Sequence, residues 1–417
     1  MERTISVLMA FDRGYLFPSC VAIHSVLEQA DPADKYRFYI LTAEENVGMD
    51  DGFFELLAAK FPNFAWEYRP VAVDMFANSR PAMRYISTAT YYRLLIPCLF
   101  PELEYCIYLD GDLVALGDIA GMLDCCMDDS GTPFSDCYLA AAKDVGLQAG
   151  TTDYFIRHRS LIGFSDEDLP GYFNAGVLVM NLKKIREDRL EERFISLLAK
   201  DYTFADQDIL NVVCKGKARL LPVRFNLVAN NIGNRYYAYH VCGDPRDRED
   251  LLAGRPVICH YVGEAKPWQL LETPWDQAWF ACAKRVPATP ELARWIARCG
   301  ERQAPPWSYR TDAVRNAGQV VLYGYTYFSR FLCEALLDEG CGNIRCFLDR
   351  DSQKQGSSFR GIPCLGSELL DDLPEDALIV ICAQTAWQEI TAQLQARGIP
   401  RDRLARYRSR DHALISV

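Results

Sequence analysis

Basic residues are in deficit: 45 lysines and arginines stand against 56 aspartates and glutamates in 417 residues, a formal net charge of −11. That balance argues against a nucleic-acid partner, because an acidic surface repels a phosphate backbone unless basic residues gather locally. A small anionic ligand would, for the same reason, need a local basic group or a metal. The 16 cysteines contain no CxxC element, so neither zinc spacing nor the disulfide framework of a small secreted domain is present. Several of them (Cys98, Cys106, Cys259, Cys346, Cys382) sit inside apolar runs. A thiol there behaves as a small hydrophobe, and a reduced compartment is the simplest expectation. No apolar stretch approaches the ~18 residues that cross a bilayer. Met1-Glu2-Arg3-Thr4-Ile5-Ser6-Val7-Leu8-Met9 begins like a β-strand and lacks the apolar core and cleavage site of a signal peptide. A cytoplasmic protein, soluble or peripheral to a membrane, is expected.

What is abundant is core material. Hydrophobic residues make up 50% of the chain and aromatics 12%, which excludes disorder as the expected state. At roughly 100–200 residues per domain, two or three domains are expected. Apolar strand patterns at 5–11, 36–41 and 64–68 alternate with helical spacing at 20–29 and 52–61. This β-α-β rhythm predicts an α/β fold with a largely parallel sheet. A helix is predicted over 87–100, stopped by Pro101, then strands at 104–109, 138–142 and 175–181 and a charged helix over 183–200. The character changes near residue 280. Over 281–312 prolines punctuate a basic stretch containing Lys284, Arg285, Arg294, Arg298, Arg302 and Arg310, with one short helix predicted at 290–299. The plain reading is a solvated linker. The sharper one is a basic surface over 284–310, bearing Trp295 and Trp307, that rests on an anionic membrane. A second, smaller α/β unit follows over 313–417, with strands at 319–324, 344–349 and 377–383 and helices at 328–339 and 387–397.

Four places could carry chemistry. Asp110-Gly111-Asp112 ends a strand, and carboxylates at i and i+2 there point to one side. Such a pair can hold a hard divalent cation that bridges diphosphate oxygens; the alternative is a hairpin turn, for which Asp-Gly is a strong signal. His260 ends another apolar strand and is one of only five histidines. A lone histidine there is commonly a core or turn residue, but Gly263 and Lys266 follow it. Gly263 would let backbone amides approach a phosphate, and Lys266 would supply local positive charge. An imidazole beside two carboxylates favours Mn²⁺ over Mg²⁺. Tyr172-Phe173-Asn174-Ala175-Gly176-Val177 and Phe204-Ala205-Asp206-Gln207-Asp208 place amides and carboxylates at element boundaries, where they can bond sugar hydroxyls. Asp206 also reads as a helix N-cap.

Together these phrases, with Thr90-Tyr91-Tyr92-Arg93-Leu94, stand in the order found in the retaining glycosyltransferases of family 8, which the chain resembles from residue 1 to about 280. Each phrase alone is weak; five in order are specific. The resemblance implies a GT-A nucleotide-diphospho-sugar transferase fold over 1–280, a UDP-hexose donor (UDP-glucose or UDP-galactose), and Mn²⁺, with Mg²⁺ as the substitute. It implies Asp110, Asp112 and His260 as metal ligands and Gly263 and Lys266 as diphosphate contacts. It further implies Arg93, Asn174, Asp206 and Gln207 as donor-sugar contacts, with Asp12 and Tyr15 at the uridine. Asp206 and Gln207 would lie nearest the reacting face, with Gln207 supporting an oxocarbenium-like centre. In this family the departing phosphate accepts the acceptor's proton in a front-face reaction. Gly14 departs from the family, which often has Asn there, and this puts a ribose contact in doubt.

The acceptor would be a glycan or a lipid-linked sugar. Other readings are a metal-dependent UDP-sugar hydrolase, a self-glycosylating protein, and an inactive scaffold of the same fold. The 313–417 unit resembles Rossmann-like modules, but Gly324 is followed by Tyr325-Thr326-Tyr327-Phe328 in place of G-x-G-x-x-G. A structural or protein-binding role is expected there, with Asp349 as a strand-end cap.

Overall fold

The computed structural model describes residues 3–72, 88–127, 136–149, 153–229, 231–263, 266–269, 274–301, 311–383, 386–408 and 413–417. The chain forms two compact units. The first comprises Met1–Gln148, Tyr154–Ala229 and Val241–Gln303; the second Ala149–Asp153, Asn230–His240 and Ala304–Val417.

Among the described residues ten strands build the first unit: β1 (Thr4–Ala10), β2 (Lys35–Thr42), β3 (Phe64–Pro70), β4 (Tyr105–Leu109), β5 (Leu113–Ala115), β6 (Leu139–Lys143), β7 (Phe173–Asn181), β8 (Ala218–Leu221), β9 (Leu227–Val228) and β10 (Ile258–His260). Seven form one sheet in the order β3-β2-β1-β4-β7-β6-β8. All neighbours are parallel except β7, which runs antiparallel to β4 and β6. Its central strands β1, β4 and β7 are apolar on both faces because both faces are covered. Val7 and Met9 of β1 enter one core while Leu8 enters the other. Ile107 and Leu109 of β4 likewise oppose Cys106 and Tyr108, and Val177 and Val179 of β7 oppose Leu178 and Met180. The helices Leu16–Gln29 and Asp51–Lys60 cover the first face; the segments from Thr88 to Leu99 and the helix Ala205–Val213 cover the second. After β3 the chain returns to place β4 on the other side of β1, so the carboxyl ends of β1 and β4 flank a topological switch point, where α/β sheets bind ligands.

Three local expectations are corrected. The segment predicted as one helix over 87–100 is a 3₁₀ helix, Thr88–Leu95, followed by a short α-helix, Ile96–Leu99, with Pro97 in its first turn; Ser87 lies outside the described residues. The charged helix over 183–200 is two helices, Leu182–Glu187 and Leu190–Leu197, because Arg189 between them adopts a left-handed conformation, φ 53°. The short helix of the expected linker, Pro290–Glu301, is not a solvated connector: Leu292 and Cys299 enter the first unit's core. Trp295 packs on Phe17 and Trp279 at ring distances of 5.5 and 5.8 Å and is partly buried against that core. Residues 302–310, including Trp307, lie outside the described residues. Among the described residues no helix is long and apolar enough to cross a membrane.

The second unit is a seven-stranded sheet: β11 (Gln319–Tyr323), β12 (Ile344–Leu348), β13 (Ser358–Phe359), β14 (Ile362–Leu365), β15 (Ala377–Ile381), β16 (Leu404–Arg408) and β17 (Ala413–Ser416), in the order β13-β14-β12-β11-β15-β16-β17. The central strands are parallel and the two edge pairs antiparallel. The helix Tyr327–Asp338 follows β11 and starts with a reciprocal capping box between Thr326 and Ser329.

Candidate active site

Asp110-Gly111-Asp112 leaves the carboxyl end of β4 and leads into β5. It is not a hairpin turn: β4 pairs with β1 and β7, whereas β5 pairs with β10, His260 opposite Leu113. That antiparallel pairing carries His260 to the aspartates from 148 residues away. Single ligand atoms of Asp110, Asp112 and His260 all lie within 4.8 Å of one another. Each carboxylate is divided between two tasks. Asp110 Oδ1 accepts from Arg93 Nη2 at 2.7 Å and from the Tyr108 hydroxyl at 3.0 Å, while its Oδ2 lies 3.9 Å from His260 Nε2. Asp112 Oδ2 accepts from Lys266 Nζ at 2.5 Å, while its Oδ1 lies 3.2 Å from His260 Nε2. Burial would raise the Asp112 carboxyl, but the Lys266 ammonium beside it outweighs that and holds Asp112 well below the usual carboxylate range. Asp110 is pushed upward by burial, against the pull of Arg93. The Asp110 side chain remains 25% exposed, so the centre opens to solvent on that side.

The space between these groups exists because residue 176 is glycine. A Cβ on Gly176 would lie 2.2 Å from His260 Cε1 and 2.8 Å from Asp110 Oδ2. A pocket kept open by a missing side chain and walled by two carboxylate oxygens and an imidazole nitrogen fits a divalent ion with mixed O/N ligands.

Around this centre stand the other expected residues. Arg93 is buried and spans two carboxylates, donating to Asp110 through Nη2 and meeting Asp206 Oδ2 through Nε at 2.9 Å. Nη1 donates to the Ala175 carbonyl at 2.6 Å, so most of its donors serve the protein itself. Asp206 is not a helix N-cap. Phe204 occupies that position without a side-chain cap bond, and the Asp206 carboxylate instead bonds Arg93 and accepts from Thr90 Oγ1 at 2.5 Å. Burial raises its carboxyl to about 6, with Arg93 pulling the other way. Gln207 is held at both ends: Oε1 accepts from the Ala175 backbone N–H at 3.0 Å, and Nε2 donates to Asp144 Oδ2 at 3.0 Å and to Tyr172 Oη at 3.1 Å. The Tyr172 hydroxyl donates in turn to Asp208 Oδ1 at 2.6 Å. Asn174 Oδ1 accepts from the Gly176 N–H at 3.0 Å.

Asp12 and Tyr15 follow β1, across the switch point from the aspartates. Asp12 Oδ1 accepts from the Gly14 N–H at 2.8 Å, which sets the turn. The Tyr15 ring flanks the Asp110-Gly111-Asp112 loop, since a Cβ on Gly111 would meet its Cδ1 at 3.5 Å, and it packs edge-on to Trp268. Gly263 has φ +81° with open space around it, a conformation that favours glycine. Glu264 and Ala265 lie outside the described residues. Lys266 also donates to the Tyr261 carbonyl at 2.7 Å. Two residues were not singled out from the sequence, Asp144 and Asn226. Asn226 Oδ1 sits 2.9 Å from His260 Nδ1, and its Nδ2 donates to Asn174 Oδ1 at 2.9 Å. The only sequence signal would have been an amide just before the two-residue β9.

Residues 6–271 match the profile of Glycosyl transferase family 8. The chain belongs to that family. Its fold accords with this: the first unit is a GT-A glycosyltransferase fold, and family 8 proteins are glycosyl transferases. The chain is 27% identical over 285 residues to a lipopolysaccharide 1,2-glucosyltransferase of Escherichia coli, covering 64% of this chain and 74% of that one. It is 25% identical over 309 residues to a lipopolysaccharide 1,3-galactosyltransferase of Salmonella typhimurium, covering 70% and 84%. Among solved structures, the galactosyltransferase LgtC in complex with donor and acceptor sugar analogs aligns with a TM-score of 0.51 and 27% identity, over 74% of this chain and 99% of that one. The family 8 match ends at residue 271, so it does not reach the second unit's 304–417 sheet.

Proposed function

We propose that the chain transfers a hexose, glucose or galactose, from a UDP-sugar to a glycan or lipid-linked acceptor, with retention at the anomeric carbon and dependence on Mn²⁺. The observation that carries this reading is the meeting of Asp110, Asp112 and His260 at the sheet's switch point, facing the Tyr15 loop. The relatives' printed activities, glucosyl and galactosyl transfer, supply the choice of sugar. Asp110, Asp112 and His260 would hold the ion, which when bound supplies positive charge to the leaving diphosphate.

The chain's own residues do the rest. The Tyr15 ring stacks on the uracil and Asp12 bonds the uridine. The backbone at Gly263 and the third N–H of Lys266, whose other two donate to Asp112 and Tyr261, contact the diphosphate. Arg93 ties Asp110, which would hold the ion, to the carboxylate nearest the sugar, Asp206. Gln207 keeps one Oε1 lone pair beyond its bond to Ala175, and that oxygen faces the positive charge developing at the anomeric carbon. Asn174 and Asp206 hold the sugar hydroxyls. The bond from the anomeric carbon to the UDP oxygen breaks, the acceptor oxygen bonds on the same face, and its proton passes to the departing phosphate.

The test is a panel of UDP-sugars with Mn²⁺ and a glycan acceptor, read as UDP release and product mass. UDP-glucose or UDP-galactose should give acceptor-dependent turnover, and Asp110→Ala should abolish it. Unchanged turnover in that variant refutes the metal assignment. Equal UDP release with and without acceptor identifies a hydrolase.

A further inference from the structure

Histidine can present either ring nitrogen as a lone pair, and which one it presents decides whether His260 binds an ion or blocks the site. The surrounding bonds place a proton on Nδ1 without reference to any ligand. The Gly176 backbone N–H can only donate, so its partner at 3.0 Å, the Asn174 side chain, presents its oxygen there. The Asn174 Nδ2 correspondingly faces Asp144 Oδ2, a carboxylate oxygen, at 3.4 Å. That same Asn174 oxygen accepts from Asn226 at 2.9 Å, so the atom Asn226 offers to it is the amide nitrogen. Its other atom, the oxygen, therefore faces His260 Nδ1, also at 2.9 Å. An amide oxygen only accepts, so Nδ1 carries a proton.

We infer that Asn226, held by Asn174, is a positioning residue that fixes His260 in the Nδ1–H tautomer and so keeps Nε2 free to bind the ion. This rests on the metal reading proposed above. With Nδ1 protonated, a neutral ring turns the Nε2 lone pair toward Asp112 Oδ1 and Asp110 Oδ2, at 3.2 and 3.9 Å. Three acceptors then converge with no donor among them, an arrangement that a cation satisfies. The competing tautomer, protonated on Nε2, would donate to Asp112 and close the same space. Without an acceptor at Nδ1 nothing opposes that tautomer, because a carboxylate is the stronger acceptor. The bond is buried: Asn226 and His260 are only 3% exposed each, so water does not readily replace the amide. The geometry also separates an acceptor role from a packing role, because leucine and aspartate are both close to asparagine in size and only aspartate keeps an acceptor.

The test measures Mn²⁺ affinity by titration calorimetry on the full chain for wild type, Asn226→Leu, Asn226→Asp and Asp110→Ala, with thermal melts to confirm folding. Asn226→Leu should weaken Mn²⁺ roughly 10–100-fold, the range found when a bond to a ligating histidine is lost. Asn226→Asp should bind more tightly than Asn226→Leu. Two-bond ¹H–¹⁵N imidazole spectra of the metal-free protein, with His260→Gln to assign the signal, should show Nδ1–H in wild type and Nε2–H in Asn226→Leu. Wild-type affinity in a folded Asn226→Leu variant overturns the inference, as does a neutral ring protonated on Nε2 alone in wild type. If Asp110→Ala binds Mn²⁺ as wild type does, the metal reading itself has failed, which the Asn226 variants alone would not show.

Discussion

At the scale of single residues, the first unit concentrates buried charge where two networks meet. Arg93 links Asp110 to Asp206, and Lys266 and His260 converge on Asp112. Gly176 is the residue on which the space depends. In Gly176→Ala the new Cβ would stand 2.2 Å from His260 Cε1, inside any real contact, and His260 would have to leave the aspartates. Mn²⁺ binding by calorimetry should fall below detection, and overpacking should lower stability by about 1–3 kcal/mol; undiminished Mn²⁺ affinity would show that the three ligands do not share one ion. Asp206 gives a separate, pH-dependent signature. Its folded-state carboxyl is raised from 3.8 to about 6, chiefly by burial, so the folded protein keeps this proton longer than the unfolded chain. Its contribution is full below pH 3.8, declines as the pH climbs to about 6, and is flat above that. The total is about 3 kcal/mol. Urea unfolding of Asp206→Asn, which cannot ionise, should lack that part of the slope, and an unaltered slope would locate the titration elsewhere. The meeting of Asp110, Asp112 and His260 was legible only through the ordered phrases that carry the family resemblance, since Asp-Gly alone also signals a turn and a lone histidine is commonly a core residue. Asn226 was not, because its partners lie 34 and 52 residues away and only the folded chain brings them together.

At the scale of elements, hydrophobic periodicity located most strands and helices, since it reports which faces are buried. It missed the breaks made by residues that are neither glycine nor proline. Arg189 divides one predicted helix by adopting φ 53°. Ala205 is likewise left-handed at the start of Ala205–Val213, with φ 49° in the residue just before Asp206 and Gln207. A left-handed alanine costs about 1–2 kcal/mol, and it persists here because its neighbours are pinned: Asp206 to Arg93 and Thr90, Gln207 to Ala175, and Asp208 Oδ2 by the Phe204 N–H at 2.8 Å. Ala205→Gly should relieve that strain and raise stability by up to about 1 kcal/mol, part of the relief being offset by chain entropy. Ala205→Val, branched at Cβ and buried, should lower both the melting temperature and turnover, because the turn that aims Gln207 cannot be kept. Thermal melts and kcat for the two variants check this; equal melting temperatures would mean the alanine is not strained.

At the scale of the whole molecule, the composition of the two units was not legible. The shift in character near residue 280 marked a boundary, yet Pro290–Glu301 packs into the first unit and Asn230–His240 belongs to the second. No local pattern reports that a helix well upstream of the boundary joins the unit downstream of it, because the contact of Asn231–His240 with Tyr327–Asp338 is a long-range event. The second unit has the strand order of a nucleotide-binding fold around β11, and its first loop explains why that resemblance should not extend to binding. A dinucleotide site needs an acid free for the ribose and an open helix N-terminus for the pyrophosphate. The Asp349 carboxylate is instead occupied by the backbone N–H groups of Tyr325 and Asp351 and by Lys354, the strand-end role expected of it. The helix N-terminus is closed by the Thr326 and Ser329 capping box. Tyr325 packs edge-on to Phe347 at 5.1 Å, and its hydroxyl donates to the Ser358 carbonyl. The full chain carrying Asp110→Ala, so that the first unit's proposed site is disabled, should therefore give no heat with NAD⁺ or NADP⁺ in calorimetry. Saturable binding in that variant, abolished by Asp349→Asn, would mean that the loop rearranges to release its acid, and that this unit is a nucleotide receptor after all.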